Sequence, residues 1–430
     1  LGLIVMDEEQ ENSYKSESTP KYHARETALE VAKLYGASVV LGSATPSLEA
    51  YYRAGKGEYR MFQLTRRLTG GELPTVYTVD LRQELQEGNR SIFSRKLQEL
   101  MADRLNKGQQ TILFLNRRGY AGFVSCRSCG EVMKCPHCDV SLSEHKGGRL
   151  ICHYCGYTQP MPKLCPKCGS KYILGFKAGT QQIEEKLKEL YPGVRTLRMD
   201  ADTTRTKDSY EKILSSFANG EADVLIGTQM IVKGHDFPKV TLVGILAADL
   251  SLNASDYRAG ERTFQLLTQA VGRAGRGALP GEAVIQTYQP DHYAITCAAA
   301  QDYENFYQEE ILYRELSGYP PVAHMLAVQI YGKEEENAKQ LALRLTDVVK
   351  SNMDFLSGKQ KEQSNKKIQV LGPAPANISK INDIYRYVFY VKHAEYDVLV
   401  EVKDRLEETL RQWQPRQMSI QFDFDPVSVL

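Results

Sequence analysis

Several absences frame this sequence of 430 residues. Net charge is nearly missing: 54 Lys and Arg stand against 53 Asp and Glu, leaving +1 at pH 7. No global basic field therefore marks a nucleic-acid partner. Any DNA contact has to come from local patches, because a few well-placed cations suffice to neutralise phosphates. Long apolar runs are also missing. The longest, such as Val240–Leu246, are strand-sized, which excludes a membrane-spanning helix; no membrane is expected among the partners. Leu1–Met6 (LGLIVM) has no basic flank before it and runs straight into acids, unlike a signal peptide. It reads as a buried β-strand, and a chain that opens in mid-strand reads as a piece of a longer protein. No G-x-x-x-x-G-K-[ST] phosphate loop occurs; Gly36–Ser43 (GASVVLGS) has neither the spacing nor the lysine. Outside one block, cysteine is reduced to Cys297. The other eight fall in four C-x-x-C pairs within 43 residues. That clustering points to metal in a reducing compartment rather than a secreted disulfide scaffold, and places the protein in the cytoplasm.

What is present divides into zones. Up to Arg67, strand and helix alternate: LGLIVM, a helix around Ala24–Tyr35, then a strand Ala37–Leu41. From Pro74 to about Gly318 the theme repeats, with strands at Thr111–Leu115, Val224–Ile226 and Val240–Leu246 and helices at Gln181–Leu190 and near Tyr210–Phe217. Such alternation predicts parallel α/β sheets. The cysteine-rich block, 124–176, interrupts the second sheet and holds too few large aliphatics to build a core without metal. After Gly318-Tyr319-Pro320-Pro321 the order becomes strand, helix, strand, strand, helix, strand, with strands at His324–Tyr331, Ile368–Leu371, Arg386–Lys392 and Met418–Asp423 and helices at Glu334–Met353 and Tyr396–Trp413. This βαββαβ order is ferredoxin-like. Ser357–Lys367 reads as a solvated loop. The expected divisions are 1–72, 73–317 with the insert 124–176, and 318–430.

The four cysteine pairs are Cys126/Cys129, Cys135/Cys138, Cys152/Cys155 and Cys165/Cys168. Two thiolates on one tight turn make half of a tetrahedral zinc site, and Gly130, Gly156 and Gly169 suit the sharp backbone. Only five residues separate the first and second pairs, whereas 13 separate the second and third. The spacing favours nesting: Cys135, Cys138, Cys152 and Cys155 around an inner Zn²⁺, and Cys126, Cys129, Cys165 and Cys168 around an outer one. A redox dithiol is the weaker reading, since redox motifs rarely come in fours. His137 and His153, inside the turns, read as solvated rather than ligating.

Four short motifs follow in order. Asp7-Glu8-Glu9-Gln10 comes directly after a strand, where an acid can hold Mg²⁺ through water and the next can polarise the attacking water. Gly42-Ser43-Ala44-Thr45-Pro46 places small hydroxyls after the next strand. Gly227 to Asp236 (GTQMIVKGHD) follows the strand VLI. Gln269-Ala270-Val271-Gly272-Arg273-Ala274-Gly275-Arg276 ends a helix, with two arginines three apart on one face and in reach of a γ-phosphate.

These motifs resemble motifs II, III, V and VI of superfamily 2 helicases on two RecA-like lobes. The eight-cysteine insert between Asn116-Arg117-Arg118-Gly119-Tyr120 and Gly179-Thr180-Gln181-Gln182 is similar to that of the primosomal N-prime family of replication-restart helicases, along the whole chain. The resemblance implies that Asp7 binds Mg²⁺ and Glu8 activates water. Gln269, Arg273 and Arg276 would contact ATP, Ser43 and Thr45 would couple the site to DNA, and Lys233, Gly234 and Asp236 would lie in the motif that links both ligands. An aromatic-rich loop would sense single-stranded DNA through Tyr14, Lys15, Tyr22 and Arg25, aromatic faces with interleaved cations. Two residues depart from the pattern: Gln10 stands where many members have His, and the loop lacks a tryptophan. In that family the nested zinc arrangement holds, and a phosphate loop and a fork-binding domain precede the acids. The implied activity is an ATP-dependent 3′-to-5′ DNA helicase acting on forks and single-stranded/duplex junctions, with single-stranded-DNA-binding protein and helicase-loading proteins as partners. The chain alone would be inactive. The rivals are a repair translocase of the same superfamily, which leaves the eight cysteines unexplained, and a non-enzymatic zinc-bearing docking scaffold.

Overall fold

The computed structural model describes residues 1–64, 73–115, 124–138, 140–145, 148–175, 179–200, 203–204, 207–232, 237–351 and 367–427. The first strand, β1 (Leu3–Met6), pairs in parallel with β2 (Ser38–Leu41), Leu3 opposite Ser38 and Met6 opposite Leu41. Between them runs α1 (Ala24–Tyr35), which opens where the His23 ring accepts the Arg25 amide and closes on Gly36 at φ +63. Helix α2 (Leu48–Gly55) follows, capped by the Ser47 hydroxyl on the Ala50 amide. The expected burial of β1 is corrected here: Leu3 is 54% and Val5 63% exposed. Among the described residues the strand has one neighbour, β2, and the face that carries Leu3 and Val5 is open to solvent.

The second sheet starts with β3 (Thr75–Asp80), α3 (Leu81–Gln86), α4 (Arg95–Asn106) and β4 (Gln110–Phe114). The cysteine-rich segment then contributes five short strands: β5 (Val124–Cys126), β6 (Ser143–His145), β7 (Arg149–Ile151), β8 (Thr158–Pro160) and β9 (Ile173–Gly175). The main sheet resumes with α5 (Thr180–Leu190), β10 (Thr196–Met199), α6 (Lys207–Ala218), β11 (Val224–Gly227) and β12 (Val240–Ile245). It ends through α7 (Asp249–Leu252), α8 (Ala259–Val271), β13 (Glu282–Thr287), α9 (Tyr293–Ala300) and α10 (Tyr303–Ser317). All six strands are parallel, in the order β10-β11-β4-β12-β13-β3. Every residue of β4, β11 and β12 is buried, as helices on both faces require, and this is why those strands read as unbroken apolar runs rather than alternating ones.

The last sheet is antiparallel: β14 (His324–Gly332), α11 (Glu335–Ser351), β15 (Gln369–Ile381), β16 (Ile384–His393), α12 (Tyr396–Trp413) and β17 (Met418–Phe424). Its order, β15-β16-β14-β17, is the ferredoxin-like arrangement. Strand β15 runs well past Leu371, its expected end. Gly372 and Pro373 fall in a register shift between Leu371 and Ala374, and Pro375, opposite Tyr387, borders a second shift; β15 is an edge strand of its sheet, where proline is tolerated. The loop expected at Ser357–Lys367 lies almost wholly outside the described residues.

Candidate metal centres and catalytic cleft

Antiparallel pairing of β5 with β9 puts Cys126 opposite Ile173, so the first cysteine pair meets the last. The β6–β7 hairpin likewise returns the second pair to the third. In each of three turns the glycine amide bonds the first cysteine's carbonyl: Gly130 to Cys126 at 2.8 Å, Gly156 to Cys152 at 2.9 Å and Gly169 to Cys165 at 2.9 Å. These glycines have φ of +77, +78 and +71, a conformation that a side chain resists. Two clusters result, Cys126/Cys129/Cys165/Cys168 and Cys135/Cys138/Cys152/Cys155, with all Sγ atoms of a cluster within 4.8 Å of one another. Sγ–Sγ separations are 3.7 Å for Cys126–Cys168, 3.6 Å for Cys129–Cys165 and 3.6 Å for Cys135–Cys155. A tetrahedral ion with bonds of about 2.3 Å demands edges of roughly 3.8 Å; a disulfide demands about 2.05 Å. The donor sets fit a tetrahedral thiophilic cation in nested pairing. Hydrogen bonding from Cys138 pulls the Cys135 thiol down to about 6, while Cys135 pushes Cys138 up. Four such sulfurs cannot all ionise until a cation balances them.

The inner cluster's second turn is wedged between the parallel sheet and the C-terminal sheet. Tyr154 is fully buried, stacks on Tyr390 at 5.0 Å, and its hydroxyl accepts the Tyr257 amide at 3.3 Å. A Cβ on Gly156 would stand 3.3 Å from the Pro373 carbonyl. His153 corrects its expected solvation: it is fully buried, with Nδ1 2.9 Å from the Pro375 carbonyl and Nε2 3.0 Å from His145. Burial lowers its pKa to about 4. His137 is exposed, as expected.

At the end of β1, Asp7 accepts the Glu8 amide at 3.0 Å, and Glu8 adopts φ +49. Gln10 links two motifs: its Nε2 donates to Glu8 at 2.5 Å and its Oε1 accepts the Ser43 hydroxyl at 2.6 Å. Ser43 in turn accepts the Thr45 amide at 2.9 Å, and the buried Thr45 hydroxyl has no hydrogen-bond partner among the described residues. Glu9 and Ser47, to which the motifs assign no role, join this network. Glu9, 1% exposed, accepts the Ser47 amide and hydroxyl at 2.6 and 2.9 Å and Arg25 Nη1 at 3.0 Å.

The four residues of the aromatic loop part company. Tyr14 donates to the Asp7 carbonyl at 2.8 Å, and Tyr22 is 53% exposed. Arg25 is buried in its pairing with Glu9. Lys15 is buried against Asp423 and the Phe424 carbonyl, each at 2.8 Å. Gln269 and Arg273 are half-buried at the end of α8, and Arg276 beyond them is exposed. Lys233, Gly234 and Asp236 lie outside the described residues. A cavity of about 870 Å³ opens between the first strand pair, α8 and the C-terminal sheet, lined by Gln10, Tyr22, Arg25, Glu49, Arg258 and Asp425 among others; Asp7 and Glu8 are not part of its wall.

Three family descriptions match this frame: "Primosomal protein N C-terminal domain" over 315–427, "PriA DNA helicase Cys-rich region (CRR) domain" over 135–160, and "Helicase conserved C-terminal domain" over 164–278. The replication restart protein PriA of Bacillus subtilis (strain 168) is 45% identical over the whole chain, which covers 52% of that relative. Those of Synechocystis and Chlamydia pneumoniae are each 41% identical over the whole chain, covering 51% and 56% of their lengths. The chain thus spans about half the length of the curated relatives it matches. The match runs from the acids of β1, through the eight cysteines, to the ferredoxin-like sheet, so that along its whole length the chain is similar to replication restart proteins PriA.

Proposed function

We propose that the protein acts as an ATP-dependent 3′-to-5′ DNA helicase of replication restart, for which this chain supplies 1–72 as part of the first motor lobe, 73–317 as the second lobe with its zinc module, and 318–430 as the C-terminal domain. The observation that carries this reading is the Glu8–Gln10–Ser43 contact. It joins an acid loop to a small-hydroxyl loop at the ends of two parallel strands, where nucleotide hydrolases place their catalytic groups.

In this reading Asp7 holds the Mg²⁺ that accompanies ATP, and Glu8 orients and deprotonates water. Gln269, Arg273 and Arg276 meet the phosphates from the second lobe, with Gly234 and Asp236 nearby. Ser43, Thr45 and Lys233 relay the state of the site to DNA, and Tyr22 and Tyr14 offer ring faces to single-stranded bases. Lys15 and Arg25 hold the loop in place through Asp423 and Glu9. The two cysteine clusters hold two structural Zn²⁺, which supply folding energy and no redox chemistry. Forked DNA, single-stranded-DNA-binding protein and helicase-loading proteins in the cytoplasm are the partners.

Strand displacement tests the reading. A form of the protein extended upstream to the length of its relatives should unwind a forked duplex with ATP, tracking 3′ to 5′, and fail with a non-hydrolysable analogue. Fork binding without displacement or ATP turnover would instead support the docking-scaffold reading.

A further inference from the structure

Behind the acid loop, buried charges cross from the first strand pair into the second sheet and on to the tether of the C-terminal sheet. The member that spans these bodies is Glu261, on the first turn of α8 and 3% exposed. Its Oε1 accepts the Leu48 amide at 3.0 Å, at the start of α2. Its Oε2 accepts Arg314 Nη2 at 3.0 Å, from α10, and lies 3.6 Å from Arg258 Nη1. Arg258 forks onto Glu49 of α2 at 2.6 and 3.3 Å. Arg314, fully buried, sends Nη1 to the Pro320 carbonyl at 2.7 Å and Nε to Glu310 at 2.8 Å. Ser47, next to Leu48, is fastened to Glu9 in the acid loop.

One carboxylate is therefore shared by three bodies: α2, the helix whose far end carries Gln269 and Arg273, and the tether at Pro320. Stability alone does not call for such a device, because apolar residues of equal volume stabilise a core as well as a buried ion cluster does. What the cluster adds is direction. Each guanidinium is a planar fork that fixes the orientation of its partner. Helix α8 runs unbroken from Ala259 to Val271, so a shift at Glu261 is carried to Gln269, roughly 12 Å further along at 1.5 Å per residue.

We infer that Glu261 is a positioning residue that sets the second-lobe arginines against the first-lobe acids and ties that setting to the C-terminal sheet. The inference rests on the helicase reading for its catalytic consequence and on geometry alone for the joint.

Glu261→Gln keeps the shape and an acceptor for the Leu48 amide but removes the charge that faces Arg314 and Arg258. In the 430-residue chain, amide hydrogen exchange over Ser47–Tyr52 should quicken at least about tenfold; unchanged exchange overturns the joint. In the upstream-extended form, DNA-stimulated kcat should fall about tenfold or more with the KM for ATP within about twofold, and Glu261→Asp, which keeps the charge, should recover part of it. Active molecules are counted by nucleotide-binding titration. A kcat per active molecule equal to wild type overturns the positioning role and leaves Glu261 merely structural. If wild type itself shows no turnover, the helicase reading falls, and the exchange result alone decides the joint.

Discussion

Arg276 Nε donates to the Gly272 carbonyl at 2.8 Å, across the end of α8, so the second arginine of the motif caps its own helix. That contact stabilises the helix end by at most ~1 kcal/mol, and it uses one edge of an exposed guanidinium. If the remaining nitrogens also meet the γ-phosphate, capping and catalysis separate on mutation. In the upstream-extended form, Arg276→Ala should reduce ATP turnover by about 100-fold or more while ATP affinity changes only a few-fold, because charge builds up in the transition state. Steady-state kinetics beside a nucleotide titration reads both. A slightly lower melting point with normal turnover would reduce Arg276 to its cap.

The nested clusters make a metal prediction. Each chain should carry two Zn²⁺ by metal analysis, and Cys152→Ser should carry about one, with the outer cluster still filled. A structural zinc contributes roughly 10 kcal/mol to folding in small modules. Loss at the inner site should therefore loosen what leans on it. Tyr154 on Tyr390 and His153 on Pro375 place that effect in β15 and β16, whose amides should exchange faster. Cys126→Ser should lose the outer ion and leave those strands protected. Retention of both ions in Cys152→Ser, or equal loosening by both variants, would contradict the account.

Much of this was legible because it depends on local spacing. The cysteine pairs, the acids after β1 and the βαββαβ order each reside in a short window, and α1 spans the very residues expected. What stayed hidden was non-local. Nothing near Lys15 in the sequence announces Asp423, 408 positions away, nor does anything near Arg25 announce Glu9 as its buried partner. A cation in an aromatic loop therefore read as a phosphate contact. His153 read as solvated for the same reason, since its cover comes from β15. Helices α9 and α10 lack a clear apolar stripe in the sequence: α9 is apolar nearly all round, and the buried face of α10 carries Glu310 and Arg314 beside Phe306 while Leu312 and Leu316 are exposed. Strand β15 was cut short by its prolines, which its edge position and register shifts accommodate.

Acid should weaken the contact between the first strand pair and α8 in a defined window. Burial pushes the Glu49 carboxyl up, but Arg258 and Arg25 outweigh it and hold the group at about 2, against an ordinary 4.5. A depressed carboxylate contributes stability that is full above its unfolded pKa and is lost as pH falls through the folded one. Glu49→Gln should therefore be less stable than wild type by roughly 3 kcal/mol at pH 7, and the gap should narrow steadily from pH 4.5 towards pH 2. Urea melts of both proteins between pH 7 and 3 follow it; acid loss of metal acts on both alike, so the gap is the readout. A gap that is constant with pH would show that the Glu49 charge contributes nothing to the joint.

The most direct test of the motor reading is ATP turnover, with and without single-stranded DNA, in two lengths of the protein. The 430-residue chain has the acids and the distal arginines but no phosphate-loop lysine or glycine cradle, so it should hydrolyse essentially no ATP. The upstream-extended form should show turnover that DNA stimulates, and Glu8→Gln should abolish it. Turnover by the 430-residue chain comparable to that of the extended form, or an extended form that DNA does not stimulate, would contradict the account.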